Sequence, residues 1–205
     1  SGPLTGVQFV DLGGESYGKS NVCAVTTTGA LWCWGANDLR QVGDGTTTHR
    51  TIAVQIIASN VTAVSVGISH SCAVLQSGVV QCWGANDKGQ LGDGLAINST
   101  SFSASPQAAS LSDAVGISVN GSHSCALIND GTVKCWGSNS DGQLGSGSFG
   151  PGVASSTPTP VTGLSGVVGI AVGLSHTCAV LSNGTVKCWG DNTSKQGGRT
   201  GYESV

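Results

Sequence analysis

Cys178-Ala179-Val180-Leu181-Ser182-Asn183-Gly184-Thr185-Val186-Lys187-Cys188-Trp189-Gly190 is the stretch that decides the fold. Two short strand-forming runs flank the polar turn Ser182-Asn183-Gly184. A three-residue loop with Gly in its last, left-handed position is a common hairpin connection. The same stretch occurs three more times: Cys23-Ala24-Val25 leads to Cys33-Trp34-Gly35, Cys72-Ala73-Val74 to Cys82-Trp83-Gly84, and Cys125-Ala126-Leu127 to Cys135-Trp136-Gly137. Gly29, Gly78 and Gly131 stand where Gly184 does. Nine residues separate the cysteines each time, and the copies start 49, 53 and 53 residues apart. Chance does not repeat so composite a pattern four times.

With that loop, the two cysteines of each copy fall opposite one another. Neighbours in a non-hydrogen-bonded pair are close enough for a disulfide. Of the many pairings open to eight cysteines, the hairpin selects Cys23–Cys33, Cys72–Cys82, Cys125–Cys135 and Cys178–Cys188. Zinc ligation usually shows two cysteines roughly two to four residues apart, a spacing absent from this sequence. Each bridge is expected to add roughly 2–3 kcal/mol through loop-closure entropy. Such bridges persist in oxidising compartments, so the expected location is secreted or at the cell surface.

Working outward, a second block follows each Trp-Gly. It reads Asn37-Asp38-Leu39-Arg40-Gln41-Val42-Gly43-Asp44-Gly45, then Asn86-Asp87-Lys88-Gly89-Gln90-Leu91-Gly92-Asp93-Gly94, then Asn139-Ser140-Asp141-Gly142-Gln143-Leu144-Gly145-Ser146-Gly147. A short alternating strand precedes each hairpin, as in Val61-Thr62-Ala63-Val64-Ser65-Val66-Gly67. Short strands, Gly punctuation and a period near 50 residues predict an all-β propeller or related blade array. No segment carries sustained helical periodicity.

The strings Gly173-Leu174-Ser175-His176-Thr177-Cys178-Ala179-Val180 and Gly184-Thr185-Val186-Lys187-Cys188-Trp189-Gly190, with the Gly-Gln-Leu-Gly blocks of Gly89–Gly92 and Gly142–Gly145, resemble the regulator of chromosome condensation repeat. This is also called the α-tubulin-suppressor-like repeat. The resemblance covers almost the whole chain. It implies blades of four antiparallel strands, which in that family usually close into a seven-bladed propeller. The cysteine pair is unlike the intracellular members and resembles a secreted bacterial branch. Residues 1–205 are therefore expected to form one repeat domain of four blades, near 4–52, 53–105, 106–158 and 159–205. The fourth degrades at Gln196-Gly197-Gly198 and lacks the strand that follows elsewhere. Four blades either close as a small ring or form a partial propeller. In the second case its edge needs the terminal strands, a neighbouring domain or another subunit to cover it. The opening Ser1-Gly2-Pro3 is expected to be a remnant of tag cleavage, and the chain a piece of a larger secreted protein.

Composition narrows the function. Only 9% of residues are charged and the net charge is −3, which gives no basic surface for nucleic acid. No apolar run approaches the ~20 residues that cross a bilayer, so membrane insertion is not expected. No nucleophile–base–orienter set emerges, and Glu15 and Glu203 are the only glutamates. The chain is therefore expected not to be an enzyme and to need no cofactor or metal. His70, His123 and His176 recur two residues before a cysteine and read as blade residues hydrogen-bonded to backbone near the axis. His49 lies in a variable loop. Trp34, Trp83, Trp136 and Trp189 read as wedges between blades. The family's photoreceptor motif Gly-Trp-Arg-His-Thr is absent, so light sensing is not expected. Asp38, Asp44, Asp87, Asp93, Asp141 and Asp191 lack the dense spacing of a calcium loop and suit turns.

Recognition is expected in the segments that vary between copies, Gly14 to Ser20, Thr46 to Thr51, Leu95 to Pro106 and Ser148 to Pro158. These hold Tyr17, Phe102 and Phe149, with Tyr202 near the end of the sequence. Trp32, which has no counterpart in the other copies, joins them as a candidate contact. Aromatic anchors among Ser, Gly and Asn resemble binding loops. The expected function is an extracellular recognition or adhesion module meeting a protein or glycan, such as the tip of a bacterial surface fibre. A secreted inhibitor of an extracellular enzyme ranks second. Nucleotide exchange on a small GTPase, the founding activity of the family, ranks last because disulfides and a cytosolic partner do not share a compartment.

Overall fold

The computed structural model describes residues 4–15, 19–97 and 102–198. Fifteen antiparallel strands fall into four consecutive sheets. The first holds β1 (Val7–Glu15), β2 (Lys19–Thr26), β3 (Leu31–Gly35) and β4 (Arg50–Ile57). The second holds β5 (Val61–Val66), β6 (His70–Leu75), β7 (Val80–Ala85) and β8 (Phe102–Ala108), and the third β9 (Ala114–Asn120), β10 (His123–Ile128), β11 (Val133–Ser138) and β12 (Ala154–Pro160). In the fourth, β13 (Val167–Val172), β14 (His176–Leu181) and β15 (Val186–Gly190) make a sheet of three described strands. Strands follow one another in sheet order, so each sheet is a meander whose hairpin lies in its middle. The four sheets form an open arc, a partial propeller.

Each central hairpin is built as its sequence dictates. Gly29, Gly78, Gly131 and Gly184 adopt φ between 77° and 83°, the left-handed region open to glycine. In the fourth sheet the amide of Gly184 donates to Leu181 O at 2.9 Å and that of Leu181 to Thr185 O at 2.8 Å. This register sets Cys23, Cys72, Cys125 and Cys178 directly opposite Cys33, Cys82, Cys135 and Cys188. All four pairs are disulfides with Cα atoms 4.1 Å apart.

The outermost strands β4, β8 and β12 occupy parts of the variable segments. Phe102 thus opens a strand rather than lying in a loop. FSASPQA and ASSTPTP are polar and carry proline, which edge strands tolerate because one side of the backbone faces water. Opposite each hairpin tryptophan the outer strand bulges: Cys33 and Gly35 pair with Val54 and Arg50, Cys82 and Gly84 with Gln107 and Ser103, Cys135 and Gly137 with Thr159 and Ser155. Extra residues bend that strand around the strand bearing the ring.

The apolar core lies between sheets. Its three clusters each join one blade to the next, around Trp83, Trp136 and Trp189. Among the described residues β15 has no outer neighbour, and there the hairpin is less buried. Val80 and Val133 are buried, but Val186 at the same hairpin position is 56% exposed.

Candidate functional site

The blade junctions explain most of the repeated residues. The turn after each hairpin is held by two side chains. Asn37 Oδ1 accepts the amide of Val42 at 3.0 Å, and Gln41 Oε1 accepts that of Leu39 at 2.9 Å. Asn86 and Gln90 do the same for Leu91 and Lys88, and Asn139 and Gln143 for Leu144 and Asp141. Each turn thereby aims one glutamine main-chain carbonyl at the following blade. Gln41 O accepts Trp83 Nε1 at 2.9 Å and Ser71 Oγ at 3.0 Å. Gln90 O accepts Trp136 Nε1 and Ser124 Oγ, and Gln143 O accepts Trp189 Nε1 and Thr177 Oγ1, at 2.8–3.0 Å. The indole lies flat on a turn glycine, so that a Cβ at Gly43 or Gly92 would stand 2.7 or 2.8 Å from it. Trp83, Trp136 and Trp189 are interblade wedges, with the hydrogen bond that a buried indole needs, whereas Trp34, expected to do the same, is only half-buried and packs against no other blade among the described residues.

Two of the three recurring histidines, His70 and His123, reach across the same junctions, and His176 is only part-buried. His70 Nε2 lies 2.8 Å from Ser124 Oγ, and His123 Nε2 lies 2.9 Å from Thr177 Oγ1. Their partners are hydroxyls of the next blade rather than the backbone expected from sequence. Since each hydroxyl donates its proton to a glutamine carbonyl, it accepts from the imidazole, which fixes the Nε2–H tautomer. Asn21 replaces histidine in the first blade, and its Nδ2 donates to Ser71 Oγ at 3.4 Å and Gln41 O at 3.3 Å.

Burial away from water pushes His70 down to about 4, slightly opposed by Asp87, and His123 down to about 3, with His70 and His176 adding repulsion. Both are neutral in the fold, whereas in the unfolded chain they titrate near 6.5. As pH falls below that value, protons bind the unfolded chain first. Stability is therefore flat above pH ~6.5 and drops toward pH ~4, by up to about 1.4 kcal/mol per pH unit for each group. Urea titrations at pH 6.5 and 5 are expected to show a loss that His70→Asn reduces by roughly 1–2 kcal/mol. An equal loss in both proteins would remove His70 from the account.

The remaining candidates are spread over the surface. Trp32, half-buried on β3, shares a groove of about 880 Å³ with Trp34, Leu4, Thr27, Ile52 and Gln55. Phe102 is 39% exposed, with the Arg40 guanidinium 5.9 Å from its ring centre. That contact straddles the first and second blades, beside the bond from the Gly45 amide to Ala104 O at 2.7 Å. Phe149, 53% exposed, lies near Gly142 in the third blade. Trp32, Phe102 and Phe149 thus occupy three separate blades. Tyr17 and Tyr202 lie outside the described residues.

Sequence reasoning missed Arg40. It takes a left-handed conformation (φ 64°) where the next two blades have Gly89 and Gly142, and that departure was the available signal. The acidic residues serve turns and local pairs. Asp44 holds Thr46, Asn37 and Arg50, while Asp93 holds Asn86 and the amide of Leu95. His49 is exposed and meets Asp38 at 3.0 Å. Among the described residues no cluster of three or more His, Cys, Asp or Glu could hold a metal ion.

Comparison with known proteins bears on the same repeats. Models of the regulator of chromosome condensation (RCC1) repeat match residues 61–90, 114–143 and 167–196, and, in a second form, 28–74 and 130–180. The probable E3 ubiquitin-protein ligase HERC6 of Homo sapiens is 41% identical over 88 residues, 42% of this chain and 8% of that protein. Protein pim1 of Schizosaccharomyces pombe is 35% identical over 79 residues, 33% of this chain and 15% of that one. Prp20p from Saccharomyces cerevisiae, whose structure is described with its binding to Gsp1p and histones, superposes with a TM-score of 0.82 at 20% identity over 97% of this chain and 48% of its own. Human WBSCR16 gives 0.79 at 21% identity over 100% of this chain and 52% of its own. The chain thus spans about half of each of these two solved structures and a small part of the two curated relatives.

Proposed function

Because the chain belongs to the regulator of chromosome condensation repeat family, we propose that it is a protein-binding module that works outside the cell. The observation that carries this reading is the covalent clamp in every blade. Thiols of this number survive as disulfides in oxidising surroundings and are kept reduced in the cytosol. A scaffold so stapled presents its variable segments rigidly, which lowers the ordering cost of binding. Protein is favoured over glycan as the partner because Phe102, Arg40 and Phe149 are the aromatic and guanidinium groups that anchor protein interfaces. Prp20p, in a structure described with its binding to Gsp1p and histones, supports a protein-binding use of the fold, and no more than that is carried over.

The test is capture of partners from cell-surface extracts beside a glycan array, with Phe102→Ser and Phe149→Ser combined in one variant. Protein capture is expected to weaken at least about tenfold, equivalent to 1.4 kcal/mol, with the melting temperature unchanged. Undiminished capture would remove these two rings from the interface, and a glycan signal without protein capture would replace the proposed partner.

A further inference from the structure

Asparagine followed by glycine is the pair most prone to close on itself, because no side chain shields the glycine nitrogen. The sequence holds two such pairs, Asn120-Gly121 and Asn183-Gly184, and the fold treats them oppositely. In the second, the Gly184 nitrogen is committed to the hairpin, donating to Leu181 O at 2.9 Å, and Asn183 Oδ1 is turned forward to the amide of Thr185 at 3.0 Å. In the first, the Gly121 N–H donates to Asn120 Oδ1 itself at 2.8 Å and, among the described residues, to nothing else. The side chain is thus folded back over the peptide that follows it. A C=O bond measures about 1.23 Å, so Cγ lies within about 4 Å of that nitrogen. This is close to the roughly 3–3.5 Å from which intramolecular reactions proceed. Asn120 Nδ2 has no hydrogen-bond partner among the described residues, so nothing holds the amide in place.

The pair also stands where a change in it is felt. Asn120 closes β9 opposite His123, in the turn where the neighbouring blades have Gly67 and Gly173. A Cβ on Gly67 would stand 3.3 Å from Asn120 Cα, and one on Gly121 would stand 2.2 Å from Leu174 O. The turn is therefore clasped between the second and fourth blades, and Gly121 takes a φ of 48° to fit there.

We propose that Asn120-Gly121 is a self-modifying site, which converts its asparagine to aspartate and isoaspartate in the folded protein. The Gly121 nitrogen gives its proton to solvent base and attacks Asn120 Cγ. The Cγ–Nδ2 bond breaks, and Nδ2 departs as ammonia with a proton from water, leaving a five-membered imide. Water then adds to one of the two imide carbonyls. Breaking the new N–Cγ bond restores the main chain with aspartate. Breaking the original bond from the main-chain carbonyl carbon to the Gly121 nitrogen leaves isoaspartate, whose chain runs through Cβ and Cγ and is one atom longer. Both products add one negative charge, opposite His123, to the present −3. Only isoaspartate lengthens the clasped turn, so it is the product that loosens the blades on either side. This chemistry needs no partner and does not depend on the recognition reading above.

The test is peptide mapping with isoaspartate detection on the purified chain aged in mildly alkaline buffer, folded in one arm and in urea with reductant in the other. In the folded arm position 120 is expected to convert at least about fivefold faster than position 183, the rate equivalent of the ~1 kcal/mol hydrogen bond that the Gly184 nitrogen must give up. In the denatured arm the two rates are expected to converge, because the following Ser122 and Thr185 differ little. Position 183 level with or ahead of position 120 in the folded arm overturns the proposal. An unchanged position 120 beside a converting denatured chain overturns it as well. Asn120→Asp carries the new charge without the longer chain. The aged isoaspartate fraction, separated by ion exchange, is expected to melt below this variant, and an equal melting temperature overturns the loosening of the blades.

Discussion

Reduction of the four disulfides is expected to unfold the protein at 37 °C. Each bridge closes a loop with a sequence separation of 10. Chain-entropy arithmetic gives such a loop about 2.7 kcal/mol, and four of them about 11. The total stability of a domain is commonly about 5–15 kcal/mol, and this one rests on three small interblade clusters rather than one large core. The bridges should also fall in order. Cys178–Cys188 is only partly buried, while the other three are fully enclosed, so a mild reductant should open the fourth blade first. Tryptophan fluorescence during reduction, with alkylation and peptide mapping of samples taken along the way, measures both the loss and the order. A reduced protein that melts within a few degrees of the oxidised one would show that packing alone suffices.

The second large effect is expected from Trp136→Ala. The ring is fully buried between the second and third blades, touches Gly92 and donates to Gln90 O. Truncation should cost about 3–5 kcal/mol, from lost transfer energy and from the cavity left behind. Gln90 O keeps the Ser124 hydroxyl, so the carbonyl is not orphaned and the loss is chiefly one of packing. Trp34→Ala provides the contrast. The same residue at the same hairpin position, but half-buried and with no blade against it among the described residues, should cost about 1 kcal/mol or less in this chain. Chemical denaturation of both variants at low protein concentration decides the matter. Equal losses would mean that the tryptophans stabilise their own hairpins and not the junctions.

Local chemistry with a short reach was legible in the sequence. The hairpins could be read because Cys spacing and a left-handed glycine leave one register, and the structure has that register. The wedge role of Trp83, Trp136 and Trp189 followed from their fixed place beside the bridges. The partner of His70 could not be read, because Ser124 lies 54 positions away and comes near only when blades stack. The outer strands were legible in number but not in bounds: the strand expected over Pro158 to Val161 is β12 at Ala154–Pro160, because an outer strand with water on one side needs no apolar alternation and tolerates Pro106 and Pro158. The candidate contact residues were found by their irregularity, which marks exposure without saying which of them act together. The structure sets Trp32, Phe102 and Phe149 apart, and it adds Arg40, whose significance depends on the ring above which it sits.

One property of the junctions reaches beyond this molecule. Because the bond that joins two blades runs to a main-chain carbonyl, the receiving side asks for a turn shape and little side-chain identity. Each blade is in effect a bead with a plug and a socket, and any bead fits any other. Gene duplication or deletion of one such unit would change the length of the string without requiring a new interface. Arrays with different numbers of blades are then reachable by single genetic steps, with the outward-facing segments free to diverge from bead to bead.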